Sequence, residues 1–194
     1  MNNLIVYVHP YDKSYNHAVL NAVQANMKKN RKKFKILDLY KDNFNPAYDA
    51  RELSLYSKGK TCRPQVKFYL KELKNADTLI IICPFWWNGV PGMLKGFIDV
   101  VMKEGKGLTH ENTMMGVKGE LVNIKHTYVL TTSAAPTFYL KLFLGNGIKR
   151  IFLNKTLKQL GMKKRKWINF GGITRSTKSK RNRFLSYIKE YKFK

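Results

Sequence analysis

The segment Thr78–Asp99, TLIIICPFWWNGVPGMLKGFID, constrains the fold more than any other part of the chain. Leu79–Cys83 is an uninterrupted apolar run that stops at Pro84 and is followed by Phe85, Trp86 and Trp87. A short apolar run without alternation is a strand buried on both faces, which requires a parallel sheet covered by helices on each side. Ligands of such sheets bind beyond the carboxyl ends of the strands, where loops lead into helices. The aromatic cluster falls at that point, so a flat conjugated ligand is expected there. Adjacent residues on extended backbone point in opposite directions. One tryptophan is therefore expected to be buried and the other to line a cleft; both packing into the core is the competing arrangement.

Further strands are expected at Leu4–Val8, Phe34–Leu39, Thr127–Thr132 and Trp167–Phe170. Between them lie helical patterns. Ser14 is placed to cap a helix whose apolar stripe runs through Val19, Val23 and Met27. Pro64 opens a helix carrying Val66, Tyr69, Leu70 and Leu73, and another runs from about Pro91 to Lys103. Leu53–Tyr56 suggests a short helix, and Gly105–Lys125 reads as an irregular insertion. A long helical pattern reaches Leu160, interrupted near Gly145-Asn146-Gly147, and a last amphipathic helix spans Ser176–Tyr191. The expected architecture is α/β: a three-layer α/β/α sandwich on a five-stranded parallel sheet of order 2-1-3-4-5, in one domain over residues 1–194. That order brings His9–Asn16, Pro84–Gly89 and Thr131–Tyr139 to one rim.

The 194 residues carry thirty-seven Lys or Arg against twelve Asp or Glu, a formal charge of +25 that favours anionic ligands. The excess sharpens late: Met162–Lys194 holds twelve basic residues and one acid, Glu190. Zinc-finger spacing, an aromatic RNA-binding signature and a basic-region zipper are missing, so nucleic acid is not the expected partner. Cys62 and Cys83 have neither disulfide nor metal spacing, and the four histidines are scattered, so no metal is expected. No segment approaches the ~20 apolar residues that cross a bilayer, and a cytoplasmic protein is expected.

In the first loop, Ser14, Tyr15 and Asn16 begin a helix, where free N–H groups and the helix dipole favour a phosphate. Capping alone would equally explain Ser14, and His9 is as readily a structural histidine as a ligand. Neither a Walker loop nor Gly-x-Gly-x-x-Gly is present. Thr131 and Thr132 offer hydroxyls at a strand end, where threonines commonly satisfy local backbone.

Together, HPYDKSYN, CPFWWNGVPGMLKGFID and LTTSAAPTFY are similar, in order and spacing, to the motifs of the flavodoxin-like NAD(P)H:quinone oxidoreductases. That family includes DT-diaphorase-like enzymes, modulators of drug activity and ancillary subunits of potassium-efflux systems. The likeness covers most of Leu4–Leu160 and is strongest in P-x-W-W-x-x-x-P-x-x-x-K-G-x-x-D, Pro84 to Asp99. The resemblance implies FMN, or alternatively FAD, at the rim, with NADH or NADPH as donor. It places His9, Ser14, Tyr15 and Asn16 at the flavin phosphate. It sets Pro84, Phe85, Trp86, Trp87 and Asn88 along the isoalloxazine, with Thr131, Thr132, Ser133 and Ala134 completing the pocket. Tyr139 matches a tyrosine on the substrate face. A quinone-like small molecule would be the acceptor and a homodimer the assembly. The alternative function is a flavin-binding regulatory subunit that contacts a membrane or transporter, with little turnover. Two departures stand out: Ser133-Ala134-Ala135-Pro136 replaces a common Gly-Gly, and Gly145 stands near the place of a histidine that stabilises charge on reduced flavin.

Overall fold

The computed structural model describes residues 1–194. Strands β1 (Asn2–Tyr7), β2 (Lys33–Asp38), β3 (Thr78–Pro84), β6 (His126–Ser133) and β7 (Arg165–Gly171) form one parallel sheet in the order β2-β1-β3-β6-β7. This is the expected 2-1-3-4-5 arrangement of sheet strands, shifted in number because β4 (His110–Thr113) and β5 (Gly116–Gly119) pair only with each other. The segment read as irregular is thus partly an antiparallel hairpin. It lacks an apolar face: five of its eight residues are exposed, and only His110 is buried.

Every residue of β3 is buried, as its unbroken apolar run requires. Alternation along the strands divides two cores. Ile5, Tyr7, Ile80, Ile82, Leu130 and Ile168 face helix α1 (Tyr15–Lys29) and helix α6 (Lys178–Glu190). Leu4, Val6, Val8, Leu79, Ile81, Cys83 and Val129 face helix α3 (Pro64–Asn75), helix α4 (Gly92–Val101) and the segment Ile148–Leu157. The three layers are those expected.

Three local readings are corrected. The short helix α2 is Ala50–Ser54, set three residues early because Asp49 accepts from the Glu52 amide (2.7 Å) and caps it. The long helical pattern divides into α5 (Thr137–Leu142) and Ile148–Leu157, which is wound as a π-helix. Gly145 and Asn146, both left-handed (φ 67° and 53°), make the break, and Gly147 lets the segment meet the loop after β3: a Cβ there would lie 2.8 Å from the Asn88 carbonyl. The last helix begins at Lys178 because Thr177 accepts from the Lys180 amide (3.2 Å) and caps it.

Beside the hairpin, where Thr109 Oγ1 donates to the Lys103 carbonyl, the chain buries an ion pair that composition does not announce. Lys103 Nζ donates to Glu52 Oε1 at 2.8 Å, and both side chains are fully buried. The Cys62 amide and thiol donate to Glu52 Oε2 (3.1 and 3.2 Å), so both carboxylate oxygens are satisfied. Burial would push Glu52 up, but the donors Lys103, Thr61 and Cys62 outweigh it and hold the carboxyl down to about 2.

Candidate functional site at the sheet rim

Parallel pairing sets the carboxyl ends of β1, β3 and β6 side by side, and hydrogen bonds join the loops that leave them. Asn16 Nδ2 donates to Thr132 Oγ1 at 2.9 Å, tying the start of α1 to the end of β6. The Phe85 amide donates to the Thr132 carbonyl at 2.8 Å, tying the loop after β3 to the same residue. The His9 and Trp86 rings lie 6.0 Å apart between centroids. The three predicted loops form one continuous rim.

At the start of α1, Ser14 Oγ accepts from the His17 amide at 3.1 Å and caps the helix. The Tyr15 and Asn16 amides find no acceptor in the chain, so two donors of the first turn remain for a ligand. Asn16 is buried, and its Oδ1 has no donor. A buried acceptor without a partner costs roughly 1–3 kcal/mol, which a ligand hydroxyl would relieve. His9 Nδ1 accepts from the Tyr11 amide (3.1 Å), so the neutral ring carries its proton on Nε2. Burial lowers the His9 pKa and favours that neutral form. Beneath the helix start, beside Ser14, the Tyr7 hydroxyl is pushed up to about 12 by burial and stays protonated. Tyr15 departs from its predicted place: its hydroxyl donates to the Arg181 carbonyl (2.8 Å) and its ring packs 4.8 Å from Phe170. Only its backbone N–H belongs to the rim.

The second loop also departs from the extended segment expected. Trp86 and Gly89 exchange backbone hydrogen bonds (3.2 and 3.0 Å) around Trp87 and Asn88, whose φ values are 47° and 60°. Two consecutive left-handed residues make a tight turn of the mirror-image kind, normally given to Gly or Asn. Neither tryptophan is buried: Trp86 is 44% exposed and Trp87 101%. Pro84 is buried at the end of β3, Phe85 is half-buried, and Asn88 is exposed.

On the third strand end, Thr131 and Ser133 point to the α3–α4 face and Thr132 to the α1 face. Thr131 Oγ1 donates to Asn169 Oδ1 and accepts from Trp167 Nε1, both at 2.7 Å. Asn169 Nδ2 donates to Ser133 Oγ and Thr137 Oγ1, both at 2.9 Å. Ser133 Oγ donates to the Ala135 carbonyl at 2.8 Å, and Ala134 is exposed. Sequence reasoning missed Asn169, Trp167 and Thr137. The available signal was register: Asn169 stands opposite Thr131 in the parallel ladder and so shares its face. Tyr139 is 43% exposed on α5, its ring 5.2 Å from Phe143.

A model of the flavodoxin-like fold family matches residues 1–192. The chain belongs to this family. An uncharacterised NAD(P)H oxidoreductase of Haemophilus influenzae is 27% identical over 177 residues, which are 89% of this chain and 85% of the relative. Rat NAD(P)H dehydrogenase [quinone] 1 is 30% identical over 152 residues, 70% of this chain and 55% of the rat protein. The chain thus spans about half the length of that relative. Among solved structures, an FMN-dependent NADH-azoreductase of Bacillus anthracis, in complex with FMN, superposes with a TM-score of 0.78 at 19% identity, over 98% of this chain and 97% of that one. The resemblance carried by the three motifs is borne out.

Proposed function

We propose that the protein is a single-domain flavin-dependent oxidoreductase that takes hydride equivalents from NADH or NADPH and passes them to a quinone-like acceptor. The observation that carries this reading is the junction of the three loops on Thr132, with free donors and an unpartnered acceptor at the α1 start. Those residues fit a flavin. The Tyr15 and Asn16 amides, with Ser14, form the phosphate end at a helix N-terminus. Asn16 Oδ1 would accept from a ribityl hydroxyl. His9 would donate from Nε2, and Trp86, Trp87 and Phe85 would supply the ring wall. The FMN complex of the azoreductase that shares this fold favours FMN over FAD.

When bound, flavin supplies a ring that accepts two electrons and a proton from the donor and returns them to the acceptor. The chain's part is placement. Asn16 and Thr132 fix the start of α1 against β6, and Asn169 holds Ser133 and Thr137 so that the loop before α5 keeps one conformation. The neutral, Nε2-protonated His9 presents a donor and no positive charge. Tyr139 borders the substrate side and offers a hydroxyl to the acceptor. Gly145 leaves the position near it without an imidazole. Supporting names among the relatives are those of NAD(P)H oxidoreductases and quinone dehydrogenases. The reading as a regulatory subunit has no comparable support.

The test is an absorption spectrum of the purified protein with and without FMN and FAD, followed by anaerobic NADH or NADPH. Flavin uptake, bleaching by the nucleotide and turnover with menadione are expected. A folded protein that takes up neither flavin would end this reading.

A further inference from the structure

The two ends of the main sheet carry opposite charge patterns. Acids gather where β1 and β2 finish: Asp12 follows the first, Asp38 closes the second and Asp42 follows it. At the other end, where the strands begin, the approaches are basic. Arg31 and Lys33 stand at the approach to β2, Lys125 before β6, and Lys163 and Lys164 before β7. The tail after α6 adds Lys192. It is tied across the starts of β2 and β3, because Lys32 Nζ donates to the Phe193 carbonyl and Thr78 Oγ1 to that of Lys194 (2.7 Å). All six of these residues are exposed, and none of their cationic groups meets a carboxylate. The acids at this end offset little: Glu190 pairs with Lys29 at 2.6 Å, and Asp77 Oδ2 accepts from the Asn2 amide at 2.8 Å. His126, half-buried at the start of β6, feels the field. It is held below its ordinary pKa by burial and then by Lys164, Lys194, Lys125 and Lys32, with no acid opposing them.

Helix dipoles explain part of the pattern. Helices α1, α3 and α6 end here with Lys28, Lys29, Lys74 and Lys189 in their last turns, where cations are favoured. The six residues above lie outside every helix, so that reason does not reach them. The edge is also level. The ladder pairs Asn2 with Lys33, Asn3 with Thr78, Thr78 with His126 and Thr127 with Arg165, so each strand begins within a residue of its neighbour. At about 4.8 Å per strand, the five starts span about 20 Å. A level end of this kind matches a plane of negative charge. Lysine ammonium groups act as point charges, without the fork that reads individual phosphates. The aromatic residues of the tail, Tyr191 and Phe193, are half-buried and buried, so nucleic-acid bases would have no face to stack on.

We propose that the end of the molecule where the strands begin docks on an anionic lipid surface, leaving the rim turned to the water. The attraction is the polybasic kind that draws lysine clusters to acidic headgroups. It does not depend on the flavin reading, since the rim lies at the opposite end of the same strands.

The experiment floats the full-length protein, its folding verified by circular dichroism, with vesicles of phosphatidylcholine holding about one-third phosphatidylserine, at about 0.15 M salt. Binding to these vesicles and none to pure phosphatidylcholine is expected, weakening as salt rises. Lys125→Gln/Lys163→Gln/Lys164→Gln should weaken binding about tenfold or more. Lys41→Gln/Lys58→Gln/Lys60→Gln removes the same charge from exposed positions elsewhere and should change it less than about twofold. Equal losses from the two triple variants would overturn the assignment to this end, because total charge would then govern. Absence of binding to the acidic vesicles would overturn it outright. A duplex oligonucleotide held at that salt while the vesicles are released would give this end to nucleic acid instead. Acrylamide quenching of the exposed Trp86 and Trp87 identifies the docked end. It should be unchanged on the vesicles; protection of these indoles would place the rim on the lipid and sink the proposal.

Discussion

Trp87 shows how much of the rim is decided at single residues. The sequence supports the aromatic cluster and its position after β3, yet not its conformation, because W-W-N-G reads as extended until the Trp86–Gly89 hydrogen bonds close the turn. An L residue in the left-handed region costs on the order of 1 kcal/mol or more. Trp87 is fully exposed and so recovers nothing from core packing. Trp87→Gly is therefore expected to stabilise the flavin-free protein by about 0.5–1 kcal/mol, while weakening FMN binding by roughly 1–3 kcal/mol, the scale of one aromatic face. Thermal melts and FMN fluorescence quenching measure the two effects. Equal signs would mean that the indole does not meet the ring. Asn169 is the opposite case: a plain polar residue in sequence, it becomes decisive because its register partner is Thr131. It makes three side-chain hydrogen bonds at 2.7–2.9 Å. Asn169→Ala is expected to cost about 2 kcal/mol by urea unfolding, because it leaves Ser133 and Thr137 without their donor. It should also weaken FMN binding by loosening the loop before α5.

At the level of elements, periodicity found every strand of the main sheet, because burial on both faces leaves little freedom in β1, β3 and β6, and the edge strands β2 and β7 alternate. It failed where burial did not discipline the pattern. The β4–β5 hairpin is nearly all solvent-facing, and its two strands carry no period-2 apolar signal. The π-helical segment does carry a trace: its buried residues Ile148, Phe152, Leu153 and Leu157 recur every fourth to fifth position, while Ile151 is 61% exposed. An α-helical reading would put Ile151 inside with Ile148. The Glu52–Lys103 pair links α2 to the end of α4, and nothing local predicts it, since the two residues are 51 apart. Its energetics have a sign that pH reveals. The Glu52 carboxyl lies at about 2 in the folded protein against 4.5 in the unfolded chain. The pair's contribution is therefore complete above about pH 4.5 and is lost as pH falls toward 2, worth roughly 3 kcal/mol over that window. Lys103→Met strands a buried carboxylate and is expected to cost about 3–5 kcal/mol at neutral pH. Glu52→Gln should flatten the acid limb of stability, measured by urea unfolding from pH 6 to pH 3. An unchanged limb would place the acid sensitivity elsewhere.

At the scale of the whole molecule, two features compete. Trp86, Trp87, Tyr139, Leu142 and Phe143 are all exposed around the rim, and Gly147 brings the loop after β3 against the segment that follows α5. Apolar surface of that extent beside the candidate site is the kind that marks an interface, and the homodimer that the resemblance implies would cover it. Against it stands a charge of +25 on each copy. Like-charged copies repel at long range, whereas apolar burial is indifferent to salt at these concentrations. Raising ionic strength to about 0.15 M shortens the screening length to about 8 Å and removes most of the repulsion between distant lysines. The dimer is therefore expected to tighten as salt rises, read by sedimentation velocity between low salt and 0.15 M. Leu142→Asp should split it without unfolding, because that side chain is 73% exposed and supports no core. A dimer that weakens as salt rises would mean that charge, and not the exposed aromatic surface, governs how copies of this chain meet.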